Sequence, residues 1–396
     1  MFEKDFPVLE NNKELIYLDS GATTLTHKNV IAAIVNYHTK NKSNVHRGFY
    51  SIAEKATEDY ENVRGIVKKF FKTDNAQVVF TSGTTDSLNK LAWGLALSLK
   101  LNENDIVVIS EAEHHANIVP WHIISETFGL SIILVPVLED GSINLEVLEK
   151  TLRKAKGRSI ISISHVSNTI GFANNLQIIS SLIRREDTFL IIDAAQSVGK
   201  IELDLDFENS FLVFSGHKVY GPTGTGCIIG SMKNLSRLYP VFGGGDMIES
   251  VKWQNIEWAK VPYKLEPGTP NIAGIIGMGE ALKWIQKIGI ETIDSHLDSL
   301  TKYTLKKLEE IDEIEIFKPG KKHGLVSFFM KKKNSLDIAT LLGSLNIAVR
   351  SGYLCAQPIV EKTVKEGIVR VSLGIYNNEK DVDKFIEGII RTKSIL

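Results

Sequence analysis

One lysine in this chain has the surroundings that amine chemistry requires. Lys218 follows an apolar run at residues 211–214, which is typical of a buried strand, and precedes a glycine-rich loop at residues 221–226. An amine attacks a carbonyl group only when it is neutral, and burial lowers the pKa of a lysine toward that condition. Lys218 is therefore a candidate for forming a Schiff base. The alternative is a solvated lysine at a strand end, since most lysines are exposed.

A glycine and two threonines form a second pattern, which is suited to binding a phosphate group. A strand predicted at residues 77–80 precedes them, and apolar side chains recur at helical spacing over residues 88–99. Thr84 and Thr85 therefore lie at a helix N-terminus, where backbone N–H groups and the helix dipole attract an anion. An ordinary threonine N-cap explains the same residues. The lysine of a P-loop is missing from this segment.

Further polar side chains follow other predicted strands. Asp193 ends the apolar run 190–192, Gln196 comes three residues later, and His114 follows a strand predicted at residues 105–109. In parallel sheets, ligands bind at the carboxyl ends of the strands. A buried carboxylate is costly unless it is paired, either with a cationic ring nitrogen or in an ordinary salt bridge. His114 is a candidate for contacting a bound ligand, and the alternative is an ordinary polar histidine in a loop.

Together these groups match what pyridoxal phosphate requires of a protein. The phosphate needs a helix N-terminus, the ring nitrogen needs a carboxylate that keeps it protonated, and the aldehyde needs a lysine. Asp193 precedes Lys218 by one crossover unit, so adjacent strands can bring both side chains to one ring. The pattern predicts pyridoxal 5'-phosphate as the cofactor and no metal site.

The elements that position these residues alternate between strands and helices. Strands are predicted at residues 15–19, 77–80, 105–109, 131–135, 160–164, 190–193 and 211–214, with those at 131–135 and 160–164 expected to be buried. This alternation favours an α/β fold, with a mostly parallel sheet flanked by helices. A proline–glycine cluster at residues 266–271 predicts a boundary between a large cofactor-binding domain, residues 16–271, and a smaller α+β C-terminal domain, residues 272–396. Residues 1–15 are expected to pack with the smaller domain.

Composition limits the classes of function. The chain has 396 residues, of which 43% are hydrophobic and 23% charged, as in soluble globular proteins of two domains. A net charge of −1 gives no general attraction to nucleic acid or to an anionic membrane, and no apolar stretch is long enough to span a bilayer. Two cysteines form neither a disulfide framework nor a zinc site, which suits a reducing compartment. We therefore expect a cytoplasmic protein, in which Cys227 is a small buried hydrophobe.

Taken in order, the motifs resemble those of the class V aminotransferase-fold enzymes, which are pyridoxal-phosphate-dependent transferases of fold type I. Among these the chain is most similar to the Suf-type (group II) cysteine desulfurases and selenocysteine lyases. The resemblance extends from about residue 17 to about residue 383. The matching segments are residues 82–85, 113–121, 165–168, 193–196, 215–218, 268–270, 350–352 and 355–358.

The resemblance implies a role for each matched residue. Lys218 would bind the aldehyde of the cofactor and move the substrate proton, and His114 would stack on the ring and assist that transfer. Asp193 would pair with the ring nitrogen, and Gln196 with the phenolic oxygen. The phosphate would be bound by Thr84, Thr85, Ser215 and His217, and by Thr269 from the second subunit of a homodimer. The substrate would be bound by Asn168 and Arg370 at its carboxylate, and by His46 and Arg350 at the entrance of the site.

The resemblance also implies that Cys355 is the nucleophile. Its thiolate would attack the sulfur of L-cysteine, release L-alanine and keep the sulfur as a persulfide for a scaffold or carrier protein of iron–sulfur cluster assembly. Suf-type enzymes usually have histidine directly before this cysteine, whereas this chain has Tyr353 and Leu354. Any contribution of that histidine to the thiolate is therefore absent here or comes from elsewhere.

Other functions stay open at this point. A selenocysteine lyase would use the same residues, whereas a class V aminotransferase or an aminoacyl lyase needs no cysteine at position 355. A non-enzymatic nucleotide-binding or assembly module would explain residues 83–85 but would leave Lys218 and Asp193 without a function. The loop sequence around Cys355 favours desulfuration.

Overall fold

The computed structural model describes residues 2–183 and 187–396. The strands are β1 (Ile16–Tyr17), β2 (Ala76–Thr81), β3 (Ile106–Ser110), β4 (Ser131–Val135), β5 (Ser159–Ser164), β6 (Thr188–Asp193), β7 (Ser210–Ser215), β8 (Gly226–Ser231), β9 (Ile248–Lys252), β10 (Asn255–Trp258), β11 (Ile314–Ile316), β12 (Leu325–Met330), β13 (Ile347–Ala348), β14 (Arg350–Gly352) and β15 (Ile368–Ser372). The helices are α1 (Pro7–Asn11), α2 (Lys28–Asn36), α3 (Ser51–Phe70), α4 (Thr84–Leu99), α5 (Val119–Phe128), α6 (Leu145–Lys154), α7 (Leu176–Ser181), α8 (Met232–Arg237), α9 (Ile272–Ile288), α10 (Ile290–Glu309), α11 (Ser335–Ser344), α12 (Gln357–Thr363) and α13 (Glu379–Ile395). Across these residues, every helix is either too short or too polar to serve as a bilayer-spanning segment.

Seven strands form the main sheet, in the order β2-β8-β7-β6-β5-β3-β4. β8 runs antiparallel to its two neighbours, and the pairs β7-β6, β6-β5, β5-β3 and β3-β4 are parallel. The carboxyl ends of β3, β5, β6 and β7 therefore meet at one edge of the sheet. The predicted α/β fold with a mostly parallel sheet is confirmed.

Helices cover both faces of this sheet, and β6 explains why its sequence is a continuous apolar run. Phe189 and Ile191 pack in a cluster with side chains of α4 and α5, whereas Leu190 and Ile192 pack in a cluster with side chains of α3 and α9. Successive side chains of a strand point to opposite faces, so a strand between two helical layers buries every residue. β5, β6 and β7 are buried along their whole length for this reason.

The expectation that residues 131–135 form a buried strand is wrong. These residues are β4, which lies at the edge of the sheet and pairs with β3 on one side. Leu134 is 52% exposed, and Val135 is the one fully buried member of this strand. An apolar run looks the same in sequence at the edge and in the middle of a sheet, because strand order depends on pairing between distant segments.

A smaller antiparallel sheet has the order β11-β12-β15-β14, and α10, α11 and α13 contact it or one another. β1 pairs in parallel with β13, so the first strand contacts the C-terminal part of the chain. The Phe6 ring lies 5.7 Å from that of Trp284 and 4.8 Å from that of Tyr376. The division into residues 16–271 and 272–396 stays a prediction.

Candidate active site

A cavity of about 370 Å³ opens at the carboxyl edge of the main sheet. β6 and β7 are adjacent parallel strands, so Asp193 and Lys218 reach the same cavity, as their spacing in the sequence predicted. α4 contributes its first turn, and the smaller sheet contributes Arg350 and Arg370. The predicted residues that line this cavity are Thr84, Thr85, His114, Asn168, Asp193, Gln196, Ser215, His217, Lys218, Arg350, Cys355 and Arg370.

Lys218 ends a single 3-10 turn, Gly216–Lys218, that follows β7. A side chain at Gly216 would lie 2.1 Å from Thr225 Oγ1, so only glycine permits this tight turn. The Lys218 ammonium donates a hydrogen bond to the carbonyl oxygen of Gly21. Burial, with the nearby cations of Arg370 and Lys200, lowers the pKa of Lys218 to about 7. About half of the amine is therefore neutral, and nucleophilic, at neutral pH.

Asp193 is buried at the end of β6, and its Oδ1 accepts a hydrogen bond of 2.9 Å from the Ala195 N–H. Burial raises the pKa of this carboxyl to about 7, and the nearby Glu113 adds to the effect. The Glu113 carboxyl is itself buried and accepts hydrogen bonds from Ser164 N–H at 3.0 Å and from Ser164 Oγ at 2.7 Å. A buried carboxylate in this setting is suited to pairing with a cation inside the cavity.

The N-terminus of α4 forms an anion cradle at one end of the cavity. Its N-cap is Gly83, with φ +150° and no side-chain cap. The Thr84 N–H donates to Ser215 Oγ at 2.8 Å, and the Thr84 hydroxyl lies 2.8 Å from the same oxygen. Burial, with Lys218 nearby, lowers the pKa of His217 to about 4, so His217 is neutral here at pH 7. Hydroxyls, an imidazole and a helix N-terminus together provide neutral donors to a phosphate.

His114 is held as a neutral imidazole. Its Nδ1 accepts a hydrogen bond of 3.0 Å from the Ala116 N–H, which leaves the ring hydrogen on Nε2. Burial and the charge of Lys218 lower the pKa of His114 to about 4. The side chain thus lines the cavity as an uncharged aromatic ring with one N–H donor.

Two arginines and one aspartate form a charged wall. Asp19 accepts hydrogen bonds from Arg350 at 2.7 Å and from Arg370 at 3.3 Å. Arg370 is buried, donates a second bond of 3.0 Å to the Asn168 carbonyl, and has a buried Nε without an acceptor among the described residues. Asp19 was missed in the sequence, although it ends an apolar run as Asp193 does.

Cys355 lies at the mouth of the cavity with its side chain exposed. Leu354 and Cys355 have φ angles of +53° and +55°, which residues other than glycine adopt only when neighbours hold them there. Leu354 is the anchor: it is buried in an apolar cluster, and its carbonyl accepts a hydrogen bond of 2.7 Å from Asn168 Nδ2. The His115 N–H donates to the Cys355 carbonyl at 2.7 Å, and His115 Nε2 accepts from the Gln357 N–H at 3.2 Å.

The loop geometry shows what stands in place of the histidine that usually precedes this cysteine. The position before the cysteine serves here as a hydrophobic anchor, and the histidine that contacts the loop is His115, from the segment between β3 and α5. Asn168, which the resemblance assigns to the substrate carboxylate, holds the loop in this chain.

Two predicted site residues lie outside this cavity. His46 lines a separate cavity of about 300 Å³ together with Gly268 and Pro270, and its Nε2 lies 3.0 Å from Glu61 Oε1. Thr269 is exposed in the loop between those two residues. Within one chain, neither residue is brought to the cavity of Lys218.

Cys227 has the environment that its sequence predicted. It is fully buried in β8, opposite Phe80 of β2 and Phe214 of β7. Burial raises the pKa of the Cys227 thiol well above its usual value, so this side chain is an inert part of the core.

Comparisons with known proteins agree with this arrangement. The chain is 36% identical to a protein from Halalkalibacterium halodurans named a probable cysteine desulfurase, over 99% of this chain and 97% of the relative. A Staphylococcus epidermidis protein of the same name is 37% identical, over 98% of this chain and 95% of the relative.

Solved structures give the same picture. The apo structure of a cysteine desulfurase from Thermococcus onnurineus NA1 superposes with a TM-score of 0.92 at 33% identity, over 99% of this chain and 97% of that one. The cysteine desulfurase CsdA of Escherichia coli, solved with an S-sulfonic acid, superposes with a TM-score of 0.91 at 30% identity, over 100% of this chain and 98% of that one. The sequence profile of the Aminotransferase class-V family matches residues 16–385. The chain therefore belongs to the class V aminotransferase family.

Proposed function

We propose that this protein is a cysteine desulfurase, which converts L-cysteine to L-alanine and retains the sulfur on Cys355. The observation that carries the proposal is that Cys355 lines the same cavity as Lys218 and Asp193. An aminotransferase has no use for an exposed cysteine beside its lysine. The relatives named as cysteine desulfurases span nearly the whole chain, which supports the same assignment.

The residues around the cavity fit pyridoxal 5'-phosphate. Lys218 has an amine that is half neutral at pH 7 for the aldehyde, and Asp193 is a buried carboxyl suited to a cationic ring nitrogen. Gln196 would donate to the phenolic oxygen, and His114 would stack on the ring. The phosphate would be bound by Thr84, Thr85, Ser215 and His217. A neutral cradle of this kind accepts a dianion because the helix dipole supplies the favourable potential.

The substrate would be oriented by the charged wall. Arg370 has a buried Nε that requires an acceptor, and a substrate carboxylate meets this requirement. Arg350 lies beside it at the mouth of the cavity, where Asp19 holds both guanidinium groups. An L-cysteine bound this way would share one cavity with Cys355, which lies among the same lining residues as both arginines.

Each step of the reaction has a residue suited to it. Once bound, the cofactor supplies an electron sink that weakens the bonds at the substrate α-carbon. The Lys218 amine would take the α-proton and return it, since burial lowers its pKa from that of an ordinary lysine toward neutrality. His114 would assist this proton transfer as a hydrogen-bond donor, through its Nε2–H.

Sulfur transfer itself is carried out by Cys355. Its thiolate attacks the substrate sulfur, the S–S bond forms, and the C–S bond breaks with its electron pair left on the β-carbon. That carbon takes a proton and leaves in L-alanine, so the carbon is reduced and the sulfur is oxidised to the persulfide level. No external oxidant or reductant is needed for this half of the cycle. Reduction or a second thiol then releases the sulfur.

We further propose that the persulfide serves a scaffold or carrier protein of iron–sulfur cluster assembly in the cytoplasm. The exposed position of Cys355 at the cavity mouth gives an acceptor thiol access to it. We also propose a homodimer in which Thr269 of a second copy completes the phosphate site. The location of Thr269 and His46 on a surface away from their own chain's cavity supports this arrangement.

The test compares the two cysteines of the chain. The parent protein, Cys355→Ala and Cys227→Ala are incubated with L-cysteine and a reductant, and alanine and sulfide are measured. The parent and Cys227→Ala should release both products in equal amounts, whereas Cys355→Ala should keep its cofactor absorbance and lose activity by about a hundredfold or more. Cys227→Ala is the matched control because it removes a thiol that is buried in the core.

Two outcomes would change the proposal. If the parent releases alanine from L-selenocysteine but not from L-cysteine, selenocysteine lysis is the activity. If the parent and Cys355→Ala are equally inactive on L-cysteine while both absorb visible light, the cofactor stays and desulfuration is refuted. A screen of amino acids for transamination would follow.

A further inference from the structure

A second buried lysine lies behind the cofactor-binding residues and has no part in the proposed mechanism. Lys200 is 4% exposed and comes seven residues after Asp193, at the end of the turn that follows β6. Its ammonium donates a hydrogen bond of 3.2 Å to Gln196 Oε1. Burying a lysine is costly, so a position of this kind calls for a physical explanation.

The hydrogen bonds of Gln196 determine which way its carboxamide faces. An ammonium group can only donate, so the atom that meets Lys200 must be the oxygen. A carbonyl can only accept, so the atom 2.7 Å from the Gly21 carbonyl must be the NH₂ group. The two contacts are consistent with each other, and they place the NH₂ group of Gln196 against Gly21, which also lines the cavity. The Gly21 carbonyl and the Lys200 ammonium therefore select the same orientation of the amide, and removal of Lys200 leaves the Gly21 carbonyl alone to hold it.

The charges that face Lys200 are cationic. Arg370 of β15 and Lys218 of the β7 turn both interact with it electrostatically, and the carboxyl groups of Asp19 and Asp193 act on Lys218. Burial and Arg370 lower the pKa of Lys200 to about 8, which leaves most of it charged at pH 7. Two buried cations, Arg370 in the cavity wall and Lys200 next to Gln196, favour an anionic occupant and oppose the uptake of an additional proton there.

We propose that Lys200 is a positioning residue, which holds the NH₂ group of Gln196 toward the phenolic oxygen of the cofactor and adds positive potential at the cofactor. The proposal rests on the proposed function only in requiring that pyridoxal 5'-phosphate occupies the cavity on Lys218. The ammonium also polarises the carboxamide and so strengthens the hydrogen bond that the NH₂ group donates to an anionic oxygen. Both effects favour the deprotonated form of the bound cofactor.

The test replaces Lys200 by methionine, which has a similar length but neither charge nor donor. The visible absorbance of the cofactor-loaded protein is titrated with pH, and cofactor affinity is measured by titration of the cofactor-free protein. For Lys200→Met we expect the midpoint of the absorbance titration to rise by about one pH unit, because a nearby positive charge is removed. Cofactor affinity should fall about fivefold, as for the loss of one well-placed hydrogen bond. Lys302→Met, at a position 73% exposed on α10, is the control and should change neither.

A second variant separates position from charge. Lys200→Gln keeps a neutral donor, so we expect it to retain more cofactor affinity than Lys200→Met while its absorbance midpoint rises by a similar amount. Lys200→Gln also serves if Lys200→Met does not fold.

Three results would overturn the proposal. One is a folded Lys200→Met, with an unchanged melting temperature, whose midpoint and affinity equal those of Lys302→Met. Another is a midpoint that falls. A parent protein that binds no cofactor would refute the cofactor assignment and this proposal together, whereas an unshifted midpoint in a visibly coloured protein refutes the role of Lys200 alone.

Discussion

Asp193 allows the most detailed prediction, because the buried carboxylate that would pair with the cofactor lowers the free energy of unfolding when no cofactor is bound. The carboxyl has an ordinary pKa of 3.8, which burial raises to about 7. Between these two pH values the folded protein holds a proton that the unfolded chain has lost. The free energy of unfolding therefore falls as pH rises through this window, and the full penalty is present above pH 7. Three units correspond to about 4 kcal/mol at 1.36 kcal/mol each.

Asp193→Asn removes this penalty and keeps the shape of the side chain. The amide oxygen can still accept the hydrogen bond that Ala195 N–H donates at 2.9 Å. For the cofactor-free protein we therefore expect Asp193→Asn to be more stable than the parent by about 1.5 kcal/mol at pH 5 and by about 4 kcal/mol at pH 8. The neighbouring histidines, whose titration also affects stability, are present in both proteins and cancel in the difference.

The assay is urea unfolding of the cofactor-free proteins, followed by circular dichroism at pH 5, 6, 7 and 8. Asp298→Asn, on the surface of α10, is the control, and its difference from the parent should stay within about 0.5 kcal/mol at every pH. In the cofactor-loaded enzyme the substitution should be harmful instead. We expect Asp193→Asn to release alanine about a hundredfold more slowly than the parent, because an amide does not hold a proton on the ring nitrogen. An Asp193→Asn protein that is less stable than the parent at pH 8, or whose advantage does not grow with pH, would refute the reasoning.

Two further predictions concern Lys218 and its turn. With a pKa of about 7, Lys218 of the cofactor-free protein should react with a small aldehyde and cyanoborohydride with a rate midpoint near pH 7, as measured by peptide mass spectrometry; a midpoint above pH 9 would contradict this. Gly216→Ala should abolish cofactor absorbance, because its side chain would lie 2.1 Å from Thr225 Oγ1. Gly65→Ala is the control: it lies in α3 with no atom within 4 Å of the new side chain, and it should raise the free energy of unfolding by about 0.5–1 kcal/mol. If Gly216→Ala binds the cofactor as well as the parent does, the packing argument is wrong.

Local sequence was sufficient for β6 and β7, the two strands that carry Asp193 and lead to Lys218. The apolar runs around residues 190 and 211 have the length and continuity of strands buried on both faces, and β6 and β7 lie there. The position of the threonines at the start of α4 was also predictable, because the change from a strand pattern to helical spacing is visible over a few residues. β4 lies where a strand was predicted, but its exposure was not predictable, because its place at the edge of the sheet depends on which strands pair with it.

The sequence by itself determined the chemistry of the cofactor face. Asp193 and Lys218 each follow a buried strand, and consecutive parallel strands lie side by side, so the spacing alone brings the two together. The other wall of the site was decided by the tertiary structure. Asp19 meets Arg350 and Arg370, and Leu354 is buried beneath Cys355, only because segments hundreds of residues apart pack against one another. Such contacts are non-local, and the residues that form them carry no local pattern that distinguishes them from ordinary surface or core positions.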